Sequence, residues 1–192
     1  MGTTQPIKNK NDIQRLKEYF LQKGEVRNYT MITLALNTSL RIGDLLRLTW
    51  KDVYNFELKR YKVHITIREQ KTHKQNIIPL NPEAKHSLEL LRCSISNLDP
   101  ELCIFKSRTG KNRPIGRSRA FNIIKNAVKE LNIEGSISCH SLRKTFGYQA
   151  WKKGVPPALI MSIYNHSSLE ITKRYLSIDQ DDKDEVFLNM NL

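Results

Sequence analysis

The chain has 192 residues, enough for one well-buried core, and no internal repeat or Pro/Gly/Ser-rich linker divides it. Its 32 Lys and Arg against 19 Asp and Glu leave a formal charge of +13, and a pI near 9.8 favours a polyanionic partner, nucleic acid above all, over an acidic small molecule. Nothing in the polar start from Met1 to Lys10 looks like a secretory signal, and no apolar run nears the ~20 residues of a bilayer-spanning helix, so a soluble, cytoplasmic protein with no membrane partner is expected.

In chain order, Asp12 to Lys23 places Ile13, Leu16 and Phe20 at helical spacing and stops at Gly24. Asn28 to Leu36 and Gly43 to Leu48 predict two more helices. The period then changes: from Tyr61 to Arg68, Val63, Ile65 and Ile67 alternate with Lys62, His64, Thr66 and Arg68, the pattern of a strand with one buried face. A polar turn with Lys71, Thr72, His73 and Lys74 leads to a second strand, Asn76 to Leu80, which makes a hairpin. Asn81-Pro82-Glu83 supplies a cap, a first-turn proline and a first-turn acid for a helix reaching about Cys93.

Helices are predicted near Arg117 to Leu131, His140 to Lys152, Pro157 to Tyr164 and Leu169 to Leu176. Before them, Lys106, Arg108, Lys111, Arg113, Arg117 and Arg119 occur without an acid and are interrupted by Gly110, Pro114 and Gly116. A solvated loop is the plain reading. A phosphate-tracking loop and helix start is preferred, because basic groups near helix N-termini sit well on a DNA backbone. The end reverses sign: Asp179, Asp181, Asp182, Asp184 and Glu185 precede Val186, Phe187, Leu188, Met190 and Leu192, an apolar segment suited to packing in cis, fraying or docking on another surface.

The chemistry-bearing residues are few. Cys93, Cys103 and Cys139 form no CxxC pair and read as small buried hydrophobes. His64, His73, His86, His140 and His166 show no zinc-ligand pairing and no nucleotide loop is present, so no metal and no cofactor is expected. In His140-Ser141-Leu142-Arg143 the first and last residues lie one helical turn apart and share a face, so both can serve one phosphate. Arg41, taken alone, reads as a surface charge or a partner of Asp44. Tyr175 has a helical setting with Leu169, Ile171 and Leu176; a free tyrosine, with a pKa of ~10, needs a cationic pocket to act as a nucleophile at neutral pH.

Taken together, the segments SLRIGDLLRLTW, REQKTHKQNIIPL, SCHSLRKTFG and YNHSSLEITKRYL resemble the catalytic domain of the tyrosine recombinases, the phage integrases and related strand-exchange enzymes of mobile elements. The resemblance runs from about Asn11 to Ser177. It implies an α+β fold, mainly helical with a small antiparallel sheet, over residues 11–178, after a polar N-terminal segment or linker (residues 1–10) and before the C-terminal tail (residues 179–192). It implies site-specific cleavage and rejoining of double-stranded DNA through a 3′-phosphotyrosine, with Tyr175 as nucleophile, Arg41, His140, Arg143 and His166 around the phosphate, and hairpin Lys71 as general acid. Asp44 is assigned the task of orienting Arg41, and Lys74, Arg108, Lys111, Arg113, Arg117 and Arg119 are the DNA-binding candidates.

Two departures from the family pattern stand out. His73 occupies the usual glycine place of a KTGK turn, and Asn165 the glycine before His166. The resemblance further implies self-association on DNA, dimer to tetramer, with accessory DNA-bending or directionality proteins as further partners. So short a chain is either the catalytic part of a larger recombinase or a single-domain form like the short recombinases of fimbrial switches. A type IB topoisomerase-like relaxation activity and an inactive DNA-binding regulator of the same fold are the alternatives.

Overall fold

The computed structural model describes residues 4–190, apart from the side chain of Asp181. Its centre is α2 (Val26–Thr38), buried on nearly every face from Tyr29 to Leu36, and α1 (Lys10–Gln22), α5 (Pro82–Cys93) and α7 (Cys139–Lys152) pack around it. A helix apolar all round belongs at the centre of a bundle. Leu16 and Phe20 from α1, Ile32 and Leu34 from α2, Leu88 from α5, Ile124 from α6 (Arg117–Glu130) and Leu142 from α7 join in one core. Burying each contributes about 1.5–3 kcal/mol.

Helix ends follow local chemistry. Asn81 accepts a hydrogen bond from Ala84 N at the start of α5, with Pro82 in the first turn. Ser138 caps α7 through a box with Ser141, so the helix opens at Cys139 and carries His140 and Arg143 along its first turn and a half. The predicted helix over 43–48 reduces to one turn, α3 (Ile42–Leu45), followed by a second single turn, α4 (Trp50–Val53), capped by Thr49 and Asp52.

The hairpin forms from β3 (His64–Arg68) and β4 (Gln75–Pro79), antiparallel with Ile65 opposite Ile78. Ahead of it, β1 (Tyr54–Asn55) and β2 (Arg60–Tyr61) make a two-residue ladder, too short to show an alternation in sequence. The expected buried face of the 61–68 strand is therefore incomplete: Ile65 is buried, whereas Val63 precedes the strand and is 66% exposed. Cys93 is also exposed, against the expectation for all three cysteines.

Two chain ends close the structure. Residues 4–9, expected as a polar segment outside the domain, lie as a strap on α7: Ile7 is buried, its N–H donates to Thr145 Oγ1, and Gln149 Nε2 donates to the Ile7 and Lys8 carbonyls. The acidic tail forms α10 (Gln180–Asn189), begun by a capping box between Asp179 and Asp182. Asp182 is buried and accepts from Lys8 Nζ and Tyr148 Oη, so the acidic half of the tail packs in cis. Val186, Phe187, Leu188 and Met190 stay exposed, and Leu192 lies outside the described residues.

Candidate active site

A smaller apolar cluster, Ile160, Tyr164 and Leu176, holds α8 (Pro157–Tyr164) and α9 (Leu169–Leu176) against α7. The turn between α8 and α9 depends on Asn165 at φ 55°, a left-handed residue where the related pattern has glycine. Asn tolerates that region better than most residues. His166 follows at once, its Nδ1 3.0 Å from the buried Thr172 Oγ1 on α9, and this contact fixes the imidazole beside the next turn of the helix, which carries Tyr175.

Tyr175 sits in a cage of rings. His166 lies 4.4 Å from it, His140 4.9 Å and Tyr164 5.3 Å between centroids. The competing tyrosines are engaged elsewhere: buried Tyr164 donates to Arg143 O at 2.6 Å, and Tyr148 donates to Asp182. Burial raises both phenols above the usual tyrosine value. The Tyr164 hydroxyl also lies where a side chain on Gly147 would stand, so the glycine of KTFG permits this approach.

Arg143 is 1% exposed. Its guanidinium donates to Ser39 O and, at 3.0 Å, to Tyr164 O, and its Nε has no hydrogen-bond partner among the described residues. Ser39 presents its carbonyl because it ends α2 in a left-handed conformation, φ 53°. Arg41, two residues on, does not lean on Asp44 as expected: its Nη1 donates to Glu69 Oε2 at 2.6 Å. Asp44 instead accepts from Gln70 N at 3.0 Å and Arg47 Nη2 at 3.3 Å, because its place on α3 faces the base of the hairpin. Both acids therefore support the site, with Glu69 holding Arg41 and Asp44 holding the strand end that leads to Lys71. Burial alone would raise the Glu69 pKa, but hydrogen bonds from Thr72 and Arg41, with the Arg41 and Arg143 charges, hold it below the usual carboxylate value.

These elements enclose a cleft of about 760 Å³ lined by Arg41, Lys71, His140, Arg143 and Tyr175, together with Arg117 and the N-terminus of α7 at Ser138 and Cys139. Lys71 is exposed at its rim on the hairpin turn, where His73 adopts φ 56° and so takes the backbone role of the expected glycine. Burial first, then the charges of Lys144, Arg143, Arg41 and Lys71, push the His140 imidazole down to about 4, although part of its surface opens on the cleft. Burial, then Arg143 and Arg41, do the same to His166. Both shifts favour the neutral imidazole.

The basic candidates separate. Arg117 lines the cleft, stacked over Gly43 where a Cβ would collide with it, and donates to Gln70 Oε1 at 2.8 Å. Arg119, two residues along α6 and so about 200° around it, lines a different depression with Tyr19 and Lys23. Arg117 and Arg119 therefore line different depressions. Arg119 instead lies near Arg27 and Arg108, a cluster whose charges, after burial, lower the Arg27 pKa. Arg108, Lys111 and Arg113 are exposed on a loop pinned by the Lys106–Pro114 bridge, and Lys74 is exposed on the hairpin. Sequence reasoning missed Glu69 and Arg27, whose partners Arg41 and Lys106 lie 28 and 79 residues away, and Thr172, whose partner His166 is near in chain but reached only across the turn between α8 and α9.

Arg41, Lys71, His140, Arg143 and Tyr175 line one cleft, and His166 packs against the Tyr175 ring beside it, inside a helical fold with a lysine-tipped hairpin: the arrangement that the resemblance to the tyrosine-type strand transferases implied. The family model for the phage integrase family matches residues 8–181, and the chain belongs to that family. Among curated relatives, a probable integrase/recombinase, YoeC, of Bacillus subtilis is 37% identical over 186 residues, covering 94% of this chain and 93% of that protein. The type 1 fimbriae regulatory protein FimE of Escherichia coli is 29% identical, covering 78% and 73%. A tyrosine recombinase of Thermosipho africanus is 25% identical over 90% of this chain but only 57% of its own length. Among solved structures, the XerA recombinase superposes with a TM-score of 0.74 at 20% identity, over 100% of this chain and 67% of the other, and XerH bound to a palindromic difH substrate with 0.75 at 17% identity, over 98% and 54%. The fold is that of tyrosine recombinase catalytic domains. Among the described residues no helix is long and apolar enough to cross a membrane.

Proposed function

We propose that this protein is a site-specific DNA recombinase in which Tyr175 attacks a phosphodiester, forms a 3′-phosphotyrosine and releases a 5′-hydroxyl that later reverses the step on an exchanged strand. The observation that carries this reading is the convergence of Arg41, Lys71, His140, Arg143 and Tyr175, from separate segments, on one cleft wide enough for a phosphate. The phosphorane-like transition state gains negative charge, and the Arg41 and Arg143 forks, already oriented by Glu69 and by two backbone carbonyls, lie ready to receive it. That preorganisation is the main catalytic contribution.

The neutral histidines can take hydrogen bonds or a proton. His166 and His140 flank the Tyr175 ring, so either is placed to receive the phenolic proton as the O–P bond forms. Lys71 on the exposed hairpin rim delivers a proton to the departing 5′ oxygen. Arg117 contacts a flanking phosphate, and Arg108, Lys111, Arg113 and Lys74 extend the path. The exposed apolar residues at the end of α10, Val186, Phe187 and Leu188, support self-association on DNA.

A nicked suicide substrate tests the whole reading. Trapping a covalent adduct whose linked peptide contains Tyr175 is the expected result. An adduct on another residue rejects the nucleophile, and relaxation of supercoiled plasmid with no strand exchange on any paired site rejects recombination.

A further inference from the structure

Lys144 follows Arg143 on α7 and faces away from the phosphate forks. Its side chain is buried, 4% exposed, and its Nζ donates to the Thr4 carbonyl of the N-terminal strap at 2.6 Å. That contact leaves the ammonium over the ring of Tyr175, 5.7 Å from the centroid. A separate opening of about 320 Å³ lies here, lined by Thr4, His140, Lys144, Ile171, Arg174 and Tyr175, on the side of the nucleophile away from Arg41 and Lys71.

We propose that Lys144 is a positioning residue for the reaction: held from behind by the strap, its ammonium fixes the Tyr175 ring and favours its phenolate over its phenol. The inference rests on Tyr175 being the nucleophile.

The physical argument is differential. An ammonium over a neutral ring interacts only with the ring quadrupole, whereas the phenolate carries a net charge spread over oxygen and ring. The attraction therefore grows as the proton leaves. Arg143 and Arg41 act from the phosphate side, and once DNA is bound their charge is largely committed to phosphate oxygens. Lys144 keeps its place on the opposite side.

The other groups near Lys144 do not cancel it. On α7 they are His140, pushed toward neutrality, and the Arg143 cation; on α9, Arg174 and the Tyr175 phenol; across the cleft, Arg41 and Lys71. The acids on this side, Asp179 and Asp182, are engaged with Lys8, and Asp182 also with Tyr148, one turn further along α7. Among the described residues no carboxylate pairs with Lys144. Burial holds its pKa below the usual lysine value. The strap adds a second consequence, since displacing Thr4 would release the ammonium from the ring.

The test uses the full chain with tyrosine labelled at the ring carbon bearing oxygen, assigned through Tyr175→Phe. In Lys144→Gln, which keeps a donor for the Thr4 carbonyl and loses the charge, the Tyr175 phenol should titrate about one pH unit higher than in wild type. The pH at which adduct formation on a suicide substrate is half-maximal should rise by the same amount, and Lys144→Arg should restore both. A thermal melt verifies folding, and Lys144→Met is the second variant if the Gln protein does not fold. An unshifted phenol titration in the folded uncharged variant overturns the inference, as does an unshifted pH profile with a uniformly lower rate. A wild-type adduct mapped to a residue other than Tyr175 refutes the functional reading instead, and the titration still separates that failure from this one.

Discussion

At the scale of residues, the site depends on groups whose ordinary behaviour has been changed by burial. Tyr175→Phe removes one hydroxyl from a cage that otherwise persists, so covalent adduct formation should vanish while duplex binding, carried by phosphate contacts elsewhere, stays within a few fold. Adduct yield on a suicide substrate and a binding titration check both halves. Arg143→Lys should cost about 2–4 kcal/mol of transition-state stabilisation, because a point charge cannot donate to Ser39 O, Tyr164 O and a phosphate in the fixed directions of a fork. Single-turnover cleavage near the wild-type rate would refute that role.

The histidines give a pH signature in the DNA-free protein. With folded pKa values of about 4 against an ordinary 6.5, His140 and His166 bind fewer protons folded than unfolded between those limits. Stability is therefore full above about pH 6.5 and falls as pH drops toward 4. The depressed carboxylates, Glu89 and Asp182 at about 2, have ordinary values of 4.5 and 3.8, so their loss begins lower. The melting temperature should decline from pH 6.5 to 4.5, and doing so equally in a His140→Gln/His166→Gln protein would assign the decline elsewhere.

At the scale of elements, what sequence makes legible is local. The helices from Pro82 to Cys93, Pro157 to Tyr164 and Leu169 to Leu176 stand at the bounds expected from sequence, the first capped by Asn81 and the last by Ser168. The HxxR spacing puts His140 and Arg143 on one cleft because a helix has a fixed pitch. Proximity in chain favours Asp44 as the partner of Arg41, whereas the hairpin brings Glu69 in from 28 residues away. Composition groups Arg119 with Arg117, but composition does not resolve the faces of a helix. The loop from Lys106 to Pro114 is a better single unit, being pinned at its base and charged at its tip. Changing Arg108, Lys111 and Arg113 together to Ala should weaken binding to every duplex and flatten log K against log salt by roughly 0.9 for each phosphate no longer neutralised, with the same phosphate still cleaved. An unchanged slope would place the loop off the DNA.

At the scale of the whole molecule, the tail divides into a part that belongs to this fold and a part that does not. Asp179 and Asp182 tie the start of α10 to the strap and to α7, shortly after Tyr175, so α10 has a defined origin beside the active site. Beyond that anchor Val186, Phe187, Leu188 and Met190 are 56–81% exposed, a cost that a second surface would relieve. If neighbouring subunits on DNA supply that surface, a pull on α10 reaches the nucleophile helix through a short connection, which couples one active site to the next. Deleting residues 185–192 removes the Lys152–Glu185 pair and the apolar end but keeps the Asp182 contacts, so the truncated monomer should melt within a few degrees of wild type. It should still bind one site. Cooperative binding to paired sites and coordinated strand exchange should fall, as read by gel-shift titration and sedimentation on one-site and two-site DNA. Equal cooperativity with and without the segment rejects an intersubunit role, and a truncated chain that no longer folds shows instead that the apolar end is required in cis.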